Sequence, residues 1–246
     1  MEKIWKEQRL VNWEDTAMNG RLSLKALNLF LVRSAINHAE HLGFGYTELI
    51  KENISWVLFR LNIKIERMPV FNEEVVVVTW PGKLFGISAS REFQIFSKQN
   101  NELLCSASSD WLIIDLETRK PQRMDRFEGA EYLNTGKKAL NQKPPKFNGR
   151  CKFEELFSVK TYYSDLDMNG HVIASKYFTW LEDAVFQMHG DKKLEFIQMS
   201  YFNECHLDED ISIRFCPEDK LSFTGHKLKN DKPAFTAVVS FKSVRL

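Results

Sequence analysis

The same turn and helix start occur twice in this chain, at a constant offset of 150 residues. Asp15, Met18, Asn19 and Gly20 align with Asp165, Met168, Asn169 and Gly170, and Phe30 falls on Trp180. A second marker, Asn72-Glu73-Glu74-Val75 against Asp208-Glu209-Asp210-Ile211, repeats at an offset of 136, so the second copy is about 14 residues shorter between the two. The 246 residues therefore hold an internal duplication, two copies of one supersecondary unit.

Each copy reads as one long helix among strands. Leu22, Leu24, Leu27, Phe30, Leu31, Ala35, Ile36 and Ala39 recur at three- and four-residue spacings, and Gly43 marks the end. Val172, Ile173, Tyr177, Phe178, Trp180, Leu181, Ala184 and Val185 do the same before Gly190. Apolar side chains cover most of both helices, Leu22–Ala39 and Val172–Met188, so other structure should wrap them. Strands are expected at Glu7–Trp13, Ile54–Ile65, Val75–Trp80 (closed by Pro81-Gly82), Ile87–Phe96 and Leu103–Ile114. In the second copy they are expected at Phe157–Tyr163, Leu194–Leu207, Ile211–Phe215, Leu221–Lys227 and Phe235–Val244. Between the copies, residues 129–150 carry Lys137, Lys138, Lys143 and Lys146, the pair Pro144-Pro145 and few large apolar groups, and read as a connection between domains 1–128 and 151–246. A long helix wrapped by an antiparallel sheet, in tandem, is an α+β double-hotdog arrangement.

Composition closes off other classes. Lys and Arg number 34 against 33 Asp and Glu, so no global field recruits nucleic acid or anionic membrane. No apolar run approaches the roughly 18 residues of a membrane span. Met1–Glu7 lacks the apolar core of a secretory signal, and Cys105, Cys151, Cys205 and Cys216 show no paired spacing. Reduced thiols in a cytoplasmic protein are the expectation, with Cys side chains serving as small core residues. His38 and His41 lie three apart on the first helix without a further ligand at metal spacing, and read as solvated helix-end residues; no metal or cofactor is expected.

The second copy differs from the first where chemistry is concerned. Both keep the Asp, Asn and Gly of the turn, but Asp167 faces Ala17 in the alignment and His171 faces Arg21. A purely structural cap should leave the copies alike. A calcium loop is excluded by its twelfth residue, which is Lys176 rather than a bidentate Glu. One chemical site per chain follows, with a carboxylate, a carboxamide and an imidazole gathered where the N–H groups of a buried helix begin.

At this point the chain resembles a family, the acyl-acyl-carrier-protein (acyl-ACP) thioesterases, double-hotdog enzymes of plastids and their bacterial relatives. The matching residues are Trp56-Val57-Leu58-Phe59-Arg60, Thr79-Trp80, Arg91-Glu92-Phe93, Ala107–Trp111 and Thr118–Pro121 in the first half. In the second they are Ser164–Val172, Tyr177, Trp180 and Asn203-Glu204-Cys205. The resemblance implies hydrolysis of the thioester between a fatty acyl chain and carrier-protein phosphopantetheine. It carries over Asp167, Asn169, His171 and Glu204 as catalytic residues, and Gly170, Val172, Tyr177 and Trp56 as the substrate side. Family members usually continue His-Val-Asn-Asn, whereas Ile173-Ala174 stand here.

Thioester hydrolysis needs an activated water and donors for the developing oxyanion. In this reading Glu204, with Asp167 beside it, positions or deprotonates the water, and two neighbouring carboxylates push one pKa up. His171 and Asn169 orient it, while backbone N–H groups around Gly170 and His171 polarise the carbonyl. The rival is a Cys205 nucleophile with His171 and Asn169. Alternation along Leu194–Leu207 puts Cys205 in the more apolar row and favours Glu204. The partner is acyl-carrier protein, for which the four lysines could be a dock, and the protein is expected to be a monomer or homodimer. Other readings of the same scaffold are an acyl-CoA thioesterase, a non-catalytic acyl-binding protein and a hydro-lyase.

Overall fold

The computed structural model describes residues 3–124 and 135–243. The chain divides into two compact units, one of Met1–Leu22 and Leu29–Lys143, the other of Ser23–Asn28 and Pro144–Leu246. In the first, β1 (Trp5–Leu10), β2 (Ile54–Ile65), β3 (Glu74–Phe85), β4 (Ser88–Ser97) and β5 (Leu103–Asp115) form an antiparallel sheet in the order β1-β3-β4-β5-β2. Its helices are α1 (Leu24–His41), of which residues 24–28 belong to the second unit, and a single turn, α2 (Tyr46–Leu49). In the second, α3 (Ala174–His189) accompanies β6 (Glu154–Lys160), β7 (Leu194–Tyr201), β8 (Asp210–Phe215), β9 (Ser222–Lys227) and β10 (Pro233–Phe241). Their order, β6-β8-β9-β10-β7, is that of the first sheet strand for strand.

The helices behave as their periodicity requires. Along α3, Tyr177, Phe178, Trp180, Leu181, Ala184 and Val185 are buried. Tyr177 meets the ring of Phe235 from β10 edge-on at 5.6 Å. Each large side chain so buried contributes about 1.5–3 kcal/mol.

The duplication extends to single hydrogen bonds. A 3₁₀ turn at Trp13–Asp15 recurs at Tyr163–Asp165, and Gly20 and Gly170 take φ +73° and +75°. That left-handed conformation is nearly free for glycine and strained for other residues, which fixes Gly at this turn. Leu22 N–H donates to Pro69 C=O at 2.8 Å, and Val172 N–H to Cys205 C=O at 2.9 Å. Position 205 of the second copy is thus position 69 of the first, which makes Met68 the counterpart of Glu204 and Val70 that of His206.

Several expectations are corrected. Strand β3 runs through Pro81-Gly82 to Phe85, absorbing the proline in a register shift between Pro81 and Leu84. Strand β7 stops at Tyr201 rather than Leu207, because Phe202 and Asn203 both turn their N–H groups to Ala234 C=O. His38 is buried against Arg91 (Nδ1 to guanidinium, 3.1 Å) and stacks on Trp5, so only His41 is a solvated helix-end histidine.

Cys151 and Cys216 are bridged, with sulfurs 2.16 Å apart, and are not free thiols. Their spacing hides this, but β6 and β8 pair Glu154 with Phe215, which brings the flanking cysteines together. Closing a loop of 65 residues stabilises by about 4 kcal/mol in the chain-entropy account. The free-thiol argument for location now applies to Cys105 and Cys205 alone. Residues 129–134 of the expected connection, and Val244 of the last strand, lie outside the described residues.

One buried carboxyl makes stability depend on pH. Burial pushes Glu182, on α3, up to about 7 from 4.5, although it accepts the Leu24 N–H at 3.1 Å. A raised carboxyl pKa means the folded state holds a proton that the unfolded state has lost. Its stabilising contribution is complete below about pH 4.5 and is lost as pH rises through about 7. Glu182→Gln should match the wild type below pH 4.5 and be the more stable of the two above 7. Urea unfolding at a series of pH values reads this; parallel curves for the two proteins would contradict it.

Candidate active site

The backbone of the 165–176 turn accounts for nearly all its own N–H groups. Asn169 and His171 N–H donate to Asp167 Oδ1 at 2.8 and 3.2 Å, and Gly170 N–H to Asp167 C=O at 3.0 Å. Val172 N–H goes to Cys205 C=O, Ile173 N–H to Asp165 C=O at 2.9 Å, and Lys176 N–H to Ile173 C=O. Met168, Ala174 and Ser175 remain, the last two being the first residues of α3, whose N–H groups have no acceptor inside a helix. No side chain caps this end. The first copy differs: Ser23 Oγ accepts the Ala26 N–H, and Glu182 accepts that of Leu24. Where Ser23 stands in the first copy the second has Ile173, so the start of α3 is left open by its sequence.

This corrects the oxyanion donors expected at Gly170 and His171, whose N–H groups are spent within the turn. It also gives Asp167 a definite task. In the first copy Asn19 Oδ1 accepts the Arg21 N–H at 3.0 Å; in the second Asp167 takes the equivalent His171 N–H. Asn169 is thereby released from that duty and its side chain is exposed. The hydrogen bonds of Asp167 run to the turn backbone.

His171 and Glu204 do come together, Nε2 to Oε2 at 3.2 Å, with side chains 19% and 34% exposed. That exposure leaves room for water and for a substrate carbonyl. Glu204 leaves the chain just past β7, and its neighbours are firmly held. Cys205 N–H donates to the Tyr177 hydroxyl at 3.3 Å, and His206 N–H to Glu209 Oε2 at 2.9 Å. The His206 ring, which the sequence reading left out of the site, stands edge-on to His171 with centroids 5.0 Å apart. Its signal was available, because His206 lies two residues past Glu204 and replaces Val70 of the first copy.

Cys205 lies in the core. It is fully buried, and burial pushes its thiol pKa up, the opposite of what an activated nucleophile needs. Cys205 is buried, as its place in the apolar row predicts, although residues 202–207 are not strand.

Among the residues expected on the substrate side, Val172 and Tyr177 belong to the core, at 5% and 4% exposure. Gly170 shapes the turn. Trp56 alone lines a cavity, of about 60 Å³ in the first unit, with Phe44, Leu84, Ala89, Arg91 and Trp111. The four lysines 137, 138, 143 and 146 are exposed.

Two hotdog units in one chain, with a carboxylate–imidazole pair in the second where the first has Met68 and Arg21, define a double-hotdog protein. The chain belongs to the acyl-ACP thioesterase family: residues 2–129 match its N-terminal domain and residues 150–241 its C-terminal domain. Among relatives, it is 25% identical over 224 residues to the chloroplastic oleoyl-acyl carrier protein thioesterase 2 of Arabidopsis thaliana, covering 83% of this chain and 60% of that protein. It thus spans about three fifths of the length of that curated relative. An acyl-ACP thioesterase of Bacteroides thetaiotaomicron superposes with a TM-score of 0.85 at 26% identity, over 98% of both chains. The 12:0-ACP thioesterase of Umbellularia californica shares the fold, with a TM-score of 0.78 at 19% identity over 98% of this chain and 94% of that one.

Proposed function

We propose that this protein hydrolyses fatty acyl-ACP to a free fatty acid and the carrier thiol, as a monomer or homodimer in the cytoplasm. Residues 1–128 and 151–246 would be its hotdog domains and 129–150 their connection. The observation that carries the reading is the His171–Glu204 pair at 3.2 Å, beside an uncapped helix start, in the copy where the first has Arg21 and Met68. Family membership, and the names of relatives that act on carrier-protein thioesters, support the substrate class.

Glu204 takes a proton from a water held beside its contact with His171, and the hydroxide adds to the thioester carbonyl carbon. The carbonyl oxygen becomes an oxyanion facing the Ala174 and Ser175 N–H groups, where the dipole of α3 adds to them. The carbon–sulfur bond then breaks. The thiolate leaves and receives the proton now shared by Glu204 and His171, so that acid and thiol are the products. Asp167 holds the turn that presents His171, and the carboxamide of Asn169 orients the water or the pantetheine arm. Trp56, which lines a cavity of the first unit, stays a substrate-side residue of this reading.

Matched panels of acyl-ACP and acyl-CoA test the carrier. The acidic carrier should be drawn by Lys137, Lys138, Lys143 and Lys146, so KM for acyl-ACP should rise with salt while kcat holds. Equal efficiency on both carriers, with no effect of salt, would point to the acyl-CoA thioesterase reading.

A further inference from the structure

We propose that His171, Glu204 and His206 form a binding site for a zinc-like divalent metal ion, and that filling it shuts hydrolysis off. The inhibitory half rests on the roles given above to Glu204 and His171; the binding half does not. One ligand atom from each of the three residues lies within 4.8 Å of the others. Two imidazoles and a carboxylate are a zinc donor set, whereas calcium and magnesium sites are built from oxygen. Ligand atoms around an ion at about 2.0–2.2 Å stand roughly 3–4 Å apart. The His171–Glu204 pair already meets that, and the exposed His206, within 4.8 Å of both, closes the set by turning its side chain.

The site is held on both sides. His171 sits in the turn that Asp167 pins through two backbone N–H groups. Glu204 and His206 flank Cys205, whose C=O and N–H are both bonded, and His206 C=O accepts the Thr161 hydroxyl at 2.5 Å. Little backbone freedom therefore remains to be lost when the ion binds. The fold itself makes no demand for these residues, since the first copy builds the same turn with Arg21, Met68 and Val70. Bound there, the ion would occupy Oε2 of Glu204 and Nε2 of His171, the atoms assigned to the water and its proton. His206 has no part in that assignment.

Titration with cobalt(II) chloride, read by its visible absorption, tests binding without reference to activity; zinc chloride is then titrated into the hydrolysis assay. Wild-type protein should bind one cobalt ion, with no thiolate-to-cobalt band, and lose activity as zinc fills the site; a chelator should restore it. His206→Gln, with each effect read against that variant's own metal-free state, should weaken both by at least about 10–100-fold, the loss that follows removal of even an outer partner of a metal ligand. No visible cobalt spectrum in the wild type, or equal binding by His206→Gln, would overturn the site. Binding that depends on His206 but leaves hydrolysis untouched would uphold the site and count against the catalytic roles of Glu204 and His171.

Discussion

Glu204→Gln is expected to lower kcat for thioester hydrolysis by about 10²–10⁴-fold, the range for loss of a general base. The amide keeps the shape of the side chain and can still accept a hydrogen bond from His171, but it cannot take a proton from water. KM should change little, because the carboxylate acts on the water rather than on the bound acyl group. Folding should be unaffected, since Glu204 is a third exposed and Met68 fills its place in the first copy. Stopped-time assays at saturating acyl-ACP, with a thermal melt as control, read both. A folded Glu204→Gln protein with wild-type turnover would remove the proposed base.

Ala174→Pro is expected to cost about 10²–10³-fold in kcat, the effect of deleting one oxyanion donor. Proline lacks the N–H but suits the first position of a helix, where that group has no helical partner. It also requires an extended residue before it, and Ile173 is already extended at φ −61° and ψ 139°. The substitution therefore deletes one hydrogen-bond donor while leaving the helix in place. Normal melting with a large fall in kcat is the expected pair of results. Normal melting with full kcat would show that the oxyanion does not rest on Ala174.

Much of this was legible because the chain states its architecture twice. Apolar periodicity located both helices to within two residues, and Ile54–Ile65 matches β2 end to end. The contrast of Asp167 and His171 with Ala17 and Arg21 pointed to the turn where His171 meets Glu204. What escaped depends on partners distant in sequence. Pro81 should end a strand, yet the register shift of β3 accommodates it. The bridge between Cys151 and Cys216 follows only from the pairing of β6 with β8. The oxyanion donors were sought at Gly170 and His171 because motif residues draw attention to side chains. Which N–H groups stay open is settled by where Asp167 and Cys205 place their acceptors. The missing signal was the exchange of the Ser23 cap for Ile173, visible in the sequence but meaningless until the cap of α1 is seen.

The central claim is that water, not a thiol, attacks the acyl group, and kcat of Cys205→Ser on acyl-ACP tests it most directly. Cys205 is buried, its N–H and C=O hold the site's backbone, and its thiol pKa is raised. Its exchange for serine should cost modest stability and leave most of the turnover, because the backbone contacts survive. A serine with no lowered pKa could not replace a nucleophilic thiolate. A Cys205→Ser enzyme that melts like the wild type yet no longer hydrolyses acyl-ACP would contradict the account.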